Sequence, residues 1–209
     1  MAKIDDYKEA VRRATTDLRE KKPEDIAQAS GADFDDSSGS AVMTLRFLNK
    51  DIEINFPDFR CTYKDSGEEV SIQQQILILH YLQGAKGNTV SEQWVAYQEI
   101  PDGMFYLDAF LRRAKNPMVQ AFGNRPELMS ELAKKLYDAG PFEHGDVSMV
   151  VQAFPYVPVV LILWKGDDDF PPEGNLLFDK SIAEILSAED IAWLAGMIIY
   201  PLIGMANQG

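Results

Sequence analysis

Cysteine is nearly missing from this chain: Cys61 is the single one in 209 residues. One thiol excludes an internal disulfide and any four-thiolate metal or iron–sulfur site held by this chain alone. Histidine is scarce as well, with only His80 and His144. They fall in different predicted elements, so a zinc site of histidine and thiolate ligands is not expected. Basic charge is the third shortage. Lys and Arg number 20 against 33 Asp and Glu, a net charge of −13. A chain with no basic stripe gains little from counterion release on nucleic acid and is repelled by anionic membrane surfaces.

Long apolar runs are short too. The strongest, Ile191–Ala206 (IAWLAGMIIYPLIGMA), falls below the ~20 residues of a spanning helix and is broken by Pro201 and two glycines. It reads as a buried or oligomer-forming helix. The start, MAKIDDYKEAVRRA, has no apolar signal core, so a cytoplasmic protein is expected. There is no phosphate loop, no GxGxxG after a strand, no HExxH and no GxSxG elbow.

What is present reads as α+β. Ala2–Lys22 places Ile4, Tyr7, Val11, Ala14 and Leu18 at helical spacing. Pro23 then opens a short helix, PEDIAQAS, stopped by Gly31. ADFDDSSGSA follows as a loop by composition. Ala41–Phe56 switches to an alternating pattern, predicting two strands joined at Asn49-Lys50, with a third short strand at Phe59–Tyr63. Ser71–Gly84 is helical with Gly84 as its end signal, and Gln93–Ile100 alternates as a strand. A helix runs to about Lys115, where Asn116 caps a short successor beginning at Pro117 and closed by Gly123. Pro126–Ala139 is a further helix, stopped by Gly140-Pro141.

Val147–Phe154 and Val157–Trp164 are strands joined by a wide turn through Pro155 and Pro158. VPVVLILW lacks alternation, which marks a central strand covered on both faces. Ser187 and Asp190 form a capping signal for the last helix. The expected architecture is a mostly antiparallel sheet built from two β-hairpin blocks, packed with helices from the N-terminus, the middle and the C-terminus. No repeat interrupts it, so 1–209 reads as a single domain, with a division near Gly87–Ser91 as the alternative.

Chemistry-bearing residues concentrate after Trp164. Asp167, Asp168, Asp169 and Glu173 form an acidic knot, with Asp179 further on. Oxygen ligands at the end of a buried strand suit a hard divalent cation, which makes Asp167, Asp169 and Asp179 the candidate metal ligands. The same knot also reads as a solvated turn, with Asp179 capping the helix begun at Ser181. No EF-hand fits, because Phe170 and Pro172 fall at ligand positions. Phe170 beside Pro171-Pro172 indicates a shaped loop. Arg113 follows the aromatic cluster Phe105, Tyr106 and Phe110, where a planar guanidinium either pairs with a carboxylate such as Asp167–Asp169 or grips an anionic ligand. His80 ends the apolar face of Ile72 and Ile76, either as a helix histidine or as a proton-transfer group. Cys61 is expected to be inert.

The blocks EEVSIQQQILILHYLQGA, WVAYQEIPDGMFYLDAFLRRAKNPMVQAFG and GDVSMVVQAFPYVPVVLILWKGDDDFPPEGNLLFDKSIAEILSAEDIAWL resemble an uncharacterised domain-of-unknown-function family of mostly anaerobic bacteria and archaea. The resemblance covers about Glu69 to Leu194. Its most specific parts are WKGDDDFPP with LFD, and Phe110 and Arg113 with Phe122 and Gly123. Some relatives carry an iron–sulfur domain, which implies a setting in anaerobic redox or one-carbon metabolism. This chain lacks the cysteines to hold a cluster.

Three functional readings follow. The first is a cytoplasmic binding or accessory module for a small or cofactor-like ligand, held in a cleft beside the end of Val157–Trp164. Arg113 would grip that ligand, with Tyr106, Trp94, Phe170 and His80 as further ligand-binding candidates. The second is an interaction subunit, forming homo-oligomers or holding a partner protein through the apolar C-terminal helix. The third is a metal-assisted hydrolase or transferase using the acidic knot, with His80 or His144 as base. The binding reading needs the fewest free choices, and no cofactor is identified by the sequence.

Overall fold

A computed structural model of the chain describes residues 4–37, 41–87 and 89–208. The chain forms two compact units, with the boundary between Thr89 and Val90. The expected contributions of Ala2, Lys3 and residues 38–40 lie outside the described residues.

The first unit comprises Met1–Thr89 together with Phe154–Tyr156 and Glu184–Leu186. Helix α1 (Ile4–Arg19) is followed by α2 (Pro23–Ser30), which ends in a left-handed Gly31 at φ 72°. An antiparallel sheet of β1 (Asp33–Asp35), β2 (Val42–Phe47), β3 (Lys50–Asn55) and β4 (Arg60–Tyr63) has its strands in chain order. The alternating pattern sets the register. Met43 faces Ile54 and Leu45 faces Ile52 across the ladder, and all four side chains are buried. β1 lies in the stretch expected to be loop, since Phe34 can pair with Met43 despite its acidic flanks. The hairpin turn is one residue earlier than expected, at Leu48-Asn49, with φ of 46° and 62°. Asn49 does take the positive φ, but Lys50 belongs to the strand.

Helix α3 (Ile72–Gly84) starts at a reciprocal cap between Ser71 and Gln74. Gly84 is not a left-handed stop. A Cβ there would fall 2.0 Å from the Ile185 carbonyl oxygen, so the position requires glycine for close packing. The Tyr81 ring stacks on Phe154 at 4.2 Å, and its hydroxyl donates to the Ser30 carbonyl at 2.7 Å. Phe47 stacks on the same Phe154 ring at 4.7 Å. These contacts satisfy a buried phenol while filling the core of the unit.

The second unit holds a five-stranded antiparallel sheet: β5 (Trp94–Ala96), β6 (Gly140–Pro141), β7 (Val147–Phe154), β8 (Val157–Trp164) and β9 (Glu173–Asp179), in spatial order β5-β9-β8-β7-β6. β8 is the central strand, and Val157–Leu163 are all buried. Its connection to β7 is a tight turn at Pro155-Tyr156 rather than a wide one. β5 is shorter than expected because Tyr97–Glu99 turns into a 3-10 helix.

The middle helices differ from expectation in one respect. α4 (Gly103–Phe110) runs through a π-helical turn, Leu111–Lys115, directly into α5 (Asn116–Phe122). Asn116 has helical φ and ψ of −65° and −45°, so it continues the helix instead of capping a new one. α6 (Pro126–Tyr137) ends at a left-handed Asp138. α7 (Ala188–Ala206) begins at the Ser187–Asp190 capping box and includes Pro201. It has 19 residues and a mean hydropathy of 1.3, so it is long and apolar enough to cross a membrane by length and composition, and half of it is buried in the protein. α4, the π turn, α5 and α6 all pack on α7. Tyr97 stacks on Phe110 at 4.2 Å and donates its hydroxyl to the Ala188 carbonyl at 2.7 Å, tying the 3-10 turn to this helical layer.

Candidate functional site

Central strand β8 ends in the half-buried Trp164, which pairs with Glu173 at the start of β9. The connection between them is held rigidly. Asp167 Oδ1 accepts the backbone N–H groups of Asp169 and Phe170 at 2.9 and 2.8 Å, and the Asp167 N–H donates to the Phe170 carbonyl at 2.9 Å. This is a side-chain-closed turn, for which aspartate is suited. Pro172 is wedged against two backbones. A Cβ on Gly166 would lie 2.7 Å from its Cδ, and one on Gly123 would lie 2.8 Å from its Cβ. Lys165 closes the far side: its N–H donates to Asp146 Oδ2 at 2.7 Å, and its Nζ pairs with Glu127. That pairing holds the Glu127 carboxyl below its usual range and raises the Lys165 ammonium.

A groove of about 370 Å³ lies over this frame, lined by Trp164, Lys165, Phe170, Pro171 and Glu173. On the other side of the proline pair a second groove, about 390 Å³, is lined by Lys115, Asn116, Val119, Gln120, Pro172, Glu173 and Gly174. Glu173 belongs to both. Phe170 stands at the rim with 71% of its surface exposed, although the loop that carries it is fixed from several sides. The indole of Trp164 also meets the His144 ring edge-to-face at 5.8 Å.

The predicted residues divide among several places. Phe170 lines the groove at the end of β8; Trp94, Arg113, Tyr106 and His80 do not. Trp94 is half-buried on β5, edge-to-face with Phe142 at 5.3 Å. Arg113 projects from the π turn, exposed, with its guanidinium 5.7 Å from the centre of the Trp193 ring. It pairs with none of Asp167, Asp168 or Asp169, so the expected ion pair is replaced by a cation–π contact. Tyr106 packs on Phe105 at 5.0 Å. Tyr106 and Arg113 share the neighbourhood of Tyr97. Burial pushes the Tyr97 phenol up to about 12, with Tyr106 adding to the rise and Arg113 opposing it. His80 belongs to the first unit, in a groove of about 450 Å³ that is also lined by Asp6, Glu9, Arg13, Asp17 and Gln83.

The metal trio does not assemble. Asp167 and Asp169 lie before β9, whereas Asp179 is its last residue, paired with Trp94. The length of that strand puts Asp179 roughly 20 Å from the knot. Among the described residues, no group of three or more His, Cys, Asp or Glu is placed to hold a metal ion. Asp179 instead works as a buried clasp. Its Oδ1 accepts from the backbone and hydroxyl of Ser91 at 3.0 and 2.9 Å, and from those of Ser181 at 2.9 and 2.6 Å. Burial drives its pKa up, but the Ser181 and Ser91 hydrogen bonds outweigh that and hold the carboxyl below the ordinary value.

Sequence reasoning missed Trp164 and Lys165 as lining residues and Trp193 as the seat of Arg113. Trp164 carried a signal, as the aromatic end of the central strand directly before the acidic knot. Trp193 carried a weaker one, its helical spacing with Met197 and Tyr200.

Neither the curated proteins nor the solved structures contain a match to this chain. A family profile does match, over residues 22–200, and so extends through most of the first unit as well as the blocks from Glu69 to Leu194. With this span covered, the chain belongs to the family described as Domain of unknown function (DUF3786).

Proposed function

We propose that this protein is a binding or accessory module whose working surface is the groove of Trp164, Phe170 and Pro171. One observation carries the reading: Phe170 is held largely exposed by a loop built to keep it there. An exposed phenylalanine on a loose loop is ordinary. One fixed by a side-chain-closed turn and a wedged proline is pre-organised to contact something, at low entropic cost on binding. The reading places the module in the cytoplasm, and the family resemblance adds an anaerobic setting in which some relatives carry an iron–sulfur domain.

Native mass spectrometry of protein purified anaerobically without chelator tests it. The expected result is a retained mass or partner on the wild type that Phe170→Ala loses while staying folded. Equal retention by both proteins would overturn it.

A second reading rests on other residues. Met104 and Phe105 of α4 are 68% and 83% exposed, and Tyr200 of α7 is 55% exposed. Aromatic groups near Arg113 have the composition of an interface hot spot. Sedimentation of wild type and Phe105→Ser would then give a lower mass for the variant, whereas two monomers would remove self-association.

A further inference from the structure

We infer that the Trp164–Phe170 groove receives an extended segment of a partner protein bearing lysine or arginine. The inference rests on the binding reading above and names its partner.

Charge complementarity selects the sign. Glu173 lines the groove, Asp167, Asp168 and Asp169 are exposed on the loop between its lining residues Lys165 and Phe170, and among the described residues none of the four forms an ion pair. Lys165, the cation lining this groove, is committed to Glu127. An anionic group entering here meets uncompensated negative charge, and a cation is drawn in. The walls select the kind of cation. Trp164, Phe170 and Pro171 are apolar, and an aromatic face attracts an ammonium or guanidinium group. A small hard ion demands a shell of oxygen ligands that these walls do not supply.

The shape selects a segment. Two shallow grooves flank Pro171-Pro172 and meet at Glu173, so an extended chain can cross both. In the second groove Asn116 and Gln120 offer side-chain amides to a peptide backbone, and Lys115 beside them leaves the first groove as the seat of the basic side chain. A free small amine is ordinarily enclosed on most of its surface, which neither groove does.

The probes are a labelled peptide of alternating lysine and alanine, its glutamate counterpart, and butylamine. Each is titrated by anisotropy or by competition against wild type, Phe170→Ala, and Asp168→Asn with Asp169→Asn. The lysine peptide should bind saturably, with Phe170→Ala and the double variant each weakening it about tenfold or more, and the glutamate peptide should not compete. Equal affinity for wild type and Phe170→Ala would overturn the inference, because it marks general attraction to an acidic chain. Butylamine competing as strongly as the peptide would overturn the segment in favour of a free amine. If the lysine peptide fails while a native adduct is still lost in Phe170→Ala, the cation class is wrong and the groove stands. If Phe170→Ala changes neither, both fall.

Discussion

Replacing Asp179 by alanine removes one side chain and takes the acceptor from several donors. In the native protein the hydroxyls and backbone N–H groups of Ser91 and Ser181 all converge on Oδ1, with Asp179 and Ser181 buried and Ser91 at the solvent side. Deleting the acceptor strands the buried Ser181 donors, while Ser91 can turn to water. Leaving buried donors unsatisfied costs about 1–3 kcal/mol. For a chain of this size each kcal/mol moves the melting temperature by about 2–4 °C, so the expected drop is about 2–12 °C. Asp179→Asn should fall between, since it keeps an acceptor but puts an amide where Oδ2 now has no hydrogen-bond partner. Protonation in acid removes this stabilisation. The folded carboxyl sits below its ordinary value, so its stabilisation is present above the unfolded carboxylate pKa of about 3.9 and is lost as pH falls through the lower folded value. Thermal melts at neutral pH and in strong acid should therefore show a gap between wild type and Asp179→Ala that narrows only in acid. Melts within about 1 °C of each other at neutral pH would refute the clasp, since that gap is well under 1 kcal/mol.

Other substitutions test separate parts of the account. Gly84→Ala puts a methyl 2.0 Å from the Ile185 carbonyl oxygen and should cost roughly 1–3 kcal/mol in a denaturant titration; an unchanged midpoint would contradict that packing. Tyr97→Phe loses the bond to the Ala188 carbonyl and should destabilise by about 1 kcal/mol, again read from the midpoint. Burial pushes the Cys61 thiol up to about 12, which keeps it protonated at neutral pH. A maleimide should label it only at the rate of unfolding, and fast labelling of folded protein would show the thiol to be reachable.

The parts of the fold legible in the sequence were those with an unmistakable period or punctuation. VSMVVQAF and VPVVLILW appear as β7 and β8 with the expected ends, because apolar β-branched runs bounded by proline admit little else. PEDIAQAS with Gly31 and the Ser187 cap were equally plain. The π turn was not, since it comes from how Ala114 and its neighbours pack on α7 rather than from any local residue preference.

The most consequential omission was β9. EGNLLFD buries Gly174, Leu176 and Phe178 on one face, an alternation present in the sequence. Counting it as a strand separates Asp179 from the acidic knot and dissolves the metal site. The candidate site was legible in its loop, where DDDFPP announced a shaped turn, but not in its membership. Arg113 and Phe170 looked like one constellation along the chain, and the helical layer places Arg113 over Trp193 instead.

The three tryptophans separate the candidate surfaces. Trp164 lines the groove, Trp94 sits on the edge strand β5, and Trp193 lies under Arg113. The most direct measurement is therefore fluorescence of the protein retaining one tryptophan at a time, the others changed to phenylalanine, titrated with the lysine–alanine peptide. The groove account predicts a saturable change in Trp164 emission with Trp94 and Trp193 unmoved. A response from Trp193 or Trp94 with Trp164 silent would contradict it and transfer the working surface to that residue.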